Sequence, residues 1–105
     1  MRIDKGKRIQ TLPDSWVELS VEERLTFTDE LKKELCRSHR LFGRKLMAVA
    51  RRERADDFLF VDEENNDHCF VVHLTWRRET KADWPWTTSF NDYSDFASNW
   101  RKHFD

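Results

Sequence analysis

Hydrophobic residues along this chain recur with two periods, and the change between them falls near Arg44. Before it, Val21, Leu25, Phe27, Leu31, Leu35 and Cys36 fall within one half of a helical wheel, while Glu22, Glu23, Asp29, Glu30 and Lys33 lie mostly on the other half. Ser20 followed by Glu23 makes a capping box, in which each side chain satisfies a free backbone N–H at a helix start. The pattern predicts an amphipathic helix of about five turns, ending near Ser38 ahead of the Phe42-Gly43 connection. Upstream, Leu12, Pro13, Trp16 and Leu19 suit a short turn or helical segment that lays Trp16 on the core. Residues 1–10 are basic and weakly patterned, and read as a frayed arm.

From Arg44 onward the period is two. Residues 45–52, 58–63 and 69–76 read as strands, with the ENND stretch at 64–67 as a hairpin turn and a fourth short strand at 87–90. Asp92 then caps a second helix, on which Tyr93, Phe96, Ala97, Trp100 and Phe104 make a narrow apolar stripe. Short connections favour an antiparallel order of neighbours. The expected fold is therefore α+β: an antiparallel three- to four-stranded meander sheet with an N-terminal and a C-terminal amphipathic helix. A chain of 105 residues leaves no room for a second domain.

The hairpin register sets which residues share a face. A turn of two or four residues puts Leu59, Val61, Phe70, Val72 and Leu74 on one face and Phe58, Phe60, Val71 and His73 on the other; a three-residue turn exchanges the first-strand sets. Either register leaves both faces apolar at the centre, unlike a sheet with one wet face. The second face needs a cover, and three are available: the two helices on opposite sides, the Trp84-Pro85-Trp86 segment folding back, or another polypeptide.

Composition sharpens this picture in three ways. Aromatic residues make up 13% of the chain, and their large buried areas let a small core be stable. Only two glycines are present, which argues against phosphate-cradling loops. The net charge of −1 conceals an asymmetry: residues 1–54 carry 14 Lys+Arg against 9 Asp+Glu, and residues 55–105 carry 5 against 11. Such polarity fits a charged partner, antiparallel self-association or pairing within the chain. The N-terminus lacks a secretory apolar segment, and no apolar run approaches the ~18 residues of a membrane helix, so a cytoplasmic protein without membrane contact is expected. Cys36 and Cys69, one expected on a helix and one on a strand, read as reduced packing thiols.

Metal and catalytic chemistry are weighed against geometry. On a strand Cys69 and His73 stand about 13 Å apart and His68 points to the opposite face, so the three cannot share a zinc ion. Cys36 and His39 would be neighbours on a helix, but nothing supplies two further ligands. No nucleophile elbow, carboxylate pair or glycine-rich loop accompanies His73. No catalytic residue, metal ligand or cofactor site is read from the sequence.

What remains points to binding. His73 lies among Val71, Val72, Leu74 and Thr75, and is expected to bond the backbone or an acid from Asp56, Asp57 or Glu79 at the sheet surface. Trp76 is expected in the strand and the core. Trp84, Pro85 and Trp86 alternate in direction if extended, so one indole is expected inside and the other outside, where tryptophan is enriched among binding hot spots. Residues 37–54 hold seven basic side chains, Arg51 among them, against Glu53 alone; they either blunt an edge strand or contact phosphates.

The segment from His39 onward, with HRLFGRKLMAVARR, DDFLF, VVHLTW, WPWTTSF and a closing amphipathic helix, resembles a family of small uncharacterised bacterial proteins. In that family an acidic DD-L-F strand precedes a V-H-L-T-W strand and a W-P-x-T connection. Its Ser-Gly-type turn after the tryptophan is replaced here by Arg77, Arg78 and Glu79. The resemblance implies a bacterial, cytosolic origin and lends no catalytic residue. The expected function is a non-catalytic protein-interaction or inhibitor module that binds another protein or a second copy of itself as a homodimer, using His73, Thr75, Trp84, Trp86 and Arg51. The alternative is single-stranded nucleic-acid binding by Arg51, Arg52 and Arg54 with exposed tryptophans.

Overall fold

The computed structural model describes residues 12–64 and 68–103. The basic arm expected at 1–10, residues 65–67 of the turn expected at 64–67, and Phe104 lie outside the described residues. Strands β1 (Trp16–Glu18), β2 (Leu46–Arg52), β3 (Asp57–Asp62), β4 (Cys69–His73) and β5 (Trp86–Phe90) form one antiparallel sheet in sequence order. Helix α1 (Val21–Glu34) follows β1, and α2 (Tyr93–Asn99) follows β5 and runs into a 3-10 turn, Trp100–His103. The class and the meander match the reading of the sequence, with five strands in place of three or four. The added strand is β1, three residues too short to show an alternation, entered through Ser15 at φ +78°.

The hairpin takes the exchanged register. Phe60 stands opposite Phe70, Phe58 opposite Val72 and Leu59 opposite Val71. Asp62 N–H bonds the His68 carbonyl at 3.0 Å, one step beyond the Val61–Cys69 pair in the same register. Phe58, Phe60, Phe70, Val72 and Leu74 consequently pack together on one face, with Leu19, Leu31, Leu41 and the half-buried Phe27. Leu59, Val61, Cys69 and Val71 line the other, under Trp16, Phe90, Phe96 and Trp100. Each helix thus covers one face, and the sheet centre is closed from within the chain.

The two helices start as expected. Ser20 Oγ accepts from Glu23 N–H at 3.1 Å and Glu23 returns a bond to Ser20 N–H at 2.9 Å, while Asp92 accepts from Asp95 N–H at 2.7 Å. The inward face of α1 differs from the wheel. Val21 and Leu25 are 64% and 54% exposed, and Arg24, Thr28, Leu31 and Glu34 are buried instead. The reason lies in β2, where the pairing with β3 slips between Ala48 and Ala50. At this bulge Ala48 N–H has no strand to bond and is taken by Thr28 Oγ1 at 2.9 Å. Arg24 Nε donates to the Leu19 carbonyl at 3.3 Å and Arg24 Nη2 pairs with Glu18 at 3.1 Å. α1 also stops at Glu34, short of Ser38, because Leu35 is already extended.

Basic residues in and just before β2 pair with acids in and just before β3. Arg44 pairs with Asp62 at 3.0 Å, Arg51 with Asp56 at 3.6 Å and Arg52 with Asp57 at 3.5 Å. Part of the charge asymmetry between the two halves of the chain is thereby internal pairing.

Candidate interaction site

Strand pairing brings two of the expected residues together. His73 and Trp86 are directly opposite on β4 and β5, and Asp57 is opposite His73 on β3. Asp57 is nearly buried and accepts from His73 Nδ1 at 2.9 Å, so the Nδ1 position carries the proton and the imidazole keeps a fixed orientation. Arg52 closes the row from β2 by pairing with the other Asp57 oxygen and lying 5.0 Å over the Trp100 ring. Arg–Asp–His–Trp is a continuous line across the end of the sheet. Among the described residues the His73 ring bonds Asp57 alone, without a Ser or Cys in reach. The row can offer one oriented hydrogen bond and an aromatic surface; it does not assemble a nucleophile and its base.

Trp84 and Trp86 are 45% and 39% exposed. The expectation that one of them enters the core is corrected: Pro85 is the buried residue of the three, and the tryptophans on either side of it are both part exposed. The Pro85 carbonyl receives His39 Nε2 at 2.9 Å and Thr87 Oγ1 at 3.1 Å, and Arg40 Nη2 holds the Thr87 carbonyl at 2.7 Å. His39 Nδ1 accepts from Leu41 N–H at 3.0 Å, which assigns the ring proton to Nε2. The connection after α1 therefore clamps the strap that presents the indoles. Beside it lies a depression of about 290 Å³ lined by Ser38, Arg40, Asp83, Trp86 and Thr87.

The remaining candidates sit elsewhere. Trp76 is outside β4 at φ +61° and 47% exposed, so it is corrected from a core strand residue to an edge one; it packs against Phe27 and Phe58 at ring centroid distances of 5.9 and 6.2 Å. Thr75 faces the end of α1, where its N–H and hydroxyl reach Glu34. Arg51 lies on the α1 side, 5.2 Å over the Phe58 ring, whereas Arg52 is on the α2 side. Arg51 and Arg52 thus do not share a surface. Arg54 is exposed in the β2–β3 turn at φ +61°.

No protein family, curated protein or solved structure matches the chain. Its site is therefore read from its own chemistry.

Both cysteines are free thiols; Cys69 is buried and Cys36 is half-buried just beyond α1. A hydrogen bond with Ser38 holds the Cys36 thiol below its ordinary range. Among the described residues no group of three His, Cys, Asp or Glu side chains is placed to hold a metal ion, and no helix is long and apolar enough to cross a membrane. Sequence reasoning named Asp57 as one possible partner of His73, weighed His39 only as a metal ligand beside Cys36 and Arg40 only as one of the basic residues of 37–54, and passed over Glu34. For His39 and Arg40 the only sequence signal was their position just past a helix end, where side chains reach neighbouring backbone. Glu34 had none, because a glutamate near a helix C-terminus reads as solvent-facing.

Proposed function

We propose that this chain is a non-catalytic protein-interaction or inhibitor module whose contact surface is the clamped Trp84-Pro85-Trp86 strap with His73 beside it. The observation that carries the reading is the pair of half-exposed indoles on backbone held by His39, Arg40 and Thr87. Rigid aromatic side chains bury large area on binding at small cost in side-chain freedom, which is why they recur at interface hot spots. Both sheet faces are filled by helices, so the surface lies at the β5 edge and the partner is another protein or a second copy of the chain. The resemblance of the strand motifs to small bacterial proteins adds a cytoplasmic, bacterial setting. Nucleic acid fits less well, since a polyanion would have to displace Asp56 and Asp57 from Arg51 and Arg52, and Asp57 lies in the same row as Trp86.

A photo-crosslinking side chain placed at position 84 or 86 in cells, with one at exposed Glu22 as control, tests the surface. One predominant protein adduct at 84 or 86, heterologous or homodimeric, and none at 22 is expected. No adduct, the same mixture at all three positions, or nucleic acid as the adduct would overturn the proposal.

A further inference from the structure

Backbone direction alternates along a strand, so bonds at the two ends of the β3–β4 pair fix which groups of β5 face outward. Asp62 N–H bonds the His68 carbonyl and Leu74 N–H bonds the Asp56 carbonyl, which turns the backbone of Phe70 and Val72 toward β3 and leaves Cys69, Val71 and His73 to bond β5. Their opposite residues are Phe90, Thr88 and Trp86. Thr87 and Ser89 therefore point N–H and C=O away from the sheet, at an edge that no further strand occupies among the described residues. Side chains at its two ends agree with this direction: Arg40 Nη2 donates to the Thr87 carbonyl at 2.7 Å, and Asp95 Oδ2 accepts from Asn91 N–H at 2.9 Å. Between them Thr87 N–H and both backbone groups of Ser89 bond nothing else among the described residues.

The two edges of the sheet differ. β1 is three residues long and contains the acid Glu18, and Trp16 N–H is folded onto the Pro13 carbonyl at 3.2 Å. β5 is five residues, WTTSF, without a charge, a proline or a bulge. Regular, uncharged edges of this kind are where a sheet adds another strand. α2 leads away from the β5 edge, since Trp100 at its end meets Trp16 on β1.

We propose that β5 pairs with β5 of a second copy of the chain, antiparallel about a two-fold axis at Thr88, joining the two sheets into one. The inference rests on the reading of the β5 edge as the contact surface and names its partner.

Self-complementarity carries the choice of occupant. Thr87 and Ser89 flank Thr88, so the rotation sets each opposite the other, and both pairs exchange N–H···O=C bonds. A carbonyl has two lone pairs, so the Thr87 carbonyl accepts from the partner's Ser89 N–H even with Arg40 on it. Pro85, which has no N–H, and Asn91, whose N–H is taken, close the seam at its ends. Charge matches in the same sense: exposed Arg40 lies at one end of the edge and Asp95 at the other, and the rotation brings Arg40 to the partner's Asp95 twice over. A parallel arrangement would bring like charges together. Half-exposed Trp86 falls opposite the partner's Phe90, so the seam also covers one of the indoles that the strap presents.

Sedimentation equilibrium of the full chain from micromolar to millimolar concentration, with amide exchange over the same range, tests the pairing. A monomer–dimer equilibrium is expected, in which the Thr87 and Ser89 amides gain protection with concentration while the Thr88 amide, bonded to β4, is protected throughout. Ser89→Pro removes an outward N–H, which an edge strand tolerates, and is expected to weaken association by roughly ten- to a hundredfold because the symmetry removes two bonds. Thr88→Cys sets two thiols in a non-hydrogen-bonded pair at the axis, with Cα atoms about 4.5 Å apart, and is expected to yield a disulfide-linked dimer on mild oxidation. The wild type, with Cys36 and Cys69 alone, should yield none. A strict monomer, Thr87 and Ser89 amides indifferent to concentration, unchanged association in Ser89→Pro or no covalent dimer in Thr88→Cys would overturn the pairing. If Ser89→Pro fails to fold, Thr88→Cys and the wild-type amides decide. A monomer that gives one heterologous adduct from a crosslinker at position 84 or 86 refutes the self-pairing and leaves the interaction surface standing; a monomer without an adduct refutes both.

Discussion

α2 meets the sheet with Tyr93 and Phe96, which join Trp16, Phe90 and Trp100 in a ring of aromatic contacts; Phe96 lies 5.0 Å from Trp16 and 5.7 Å from Phe90, edge to face. α1 meets it with Arg24, Thr28, Leu31 and Glu34, and leaves Val21 and Leu25 in solvent. The seven-residue α2 is too short to persist by itself and is held by apolar area. α1 is twice as long and needs less area, so three of its four buried side chains serve the backbone of other elements: the Leu19 carbonyl, Ala48 N–H, and the Thr75 and Trp76 N–H groups. A helix beside a bulge can be buried by polarity when each polar group finds a partner.

This contrast can be broken by substitution. Phe96→Ala leaves a cavity in the aromatic ring and is expected to cost about 3–5 kcal/mol in equilibrium unfolding, the largest effect of the set. Thr28→Val keeps the shape but strands the buried Ala48 N–H, for an expected loss of about 1–3 kcal/mol. Leu25→Glu places a charge where the helical wheel predicts core, yet should change stability by no more than about 0.5 kcal/mol because the side chain is already in water. A large loss in Leu25→Glu would restore the amphipathic reading of α1.

The same contrast explains how much was legible in the sequence. α2 was, because a hydrophobic stripe and its Asp92 cap agree with how it packs. β2 to β4 were, because short apolar runs rich in β-branched and aromatic residues, bounded by polar connections, mark strands buried on both faces. The rotation of α1 was not: it follows from the bulge at Ala48–Ala50, a feature with no residue signature in LMAVARR. The hairpin register depended on the loop length between Asp62 and His68, which ENND does not determine. At the site, His73 and its acidic partner were within reach of sequence reasoning because both lie on alternating strands. The exposure of both Trp84 and Trp86 was missed because Pro85 was not considered as the inward residue. Glu34 is held by contacts 41 and 42 residues away, beyond any local pattern.

The central claim, that α1 is held by polar side chains serving the open backbone of its neighbours, is tested most directly by hydrogen exchange at the Ala48 amide. In the wild type this amide is expected to exchange only through global unfolding, and in Thr28→Val its protection should fall well below that of Val71 and Val72 at the sheet centre. Equal protection of all three amides in Thr28→Val would contradict the account.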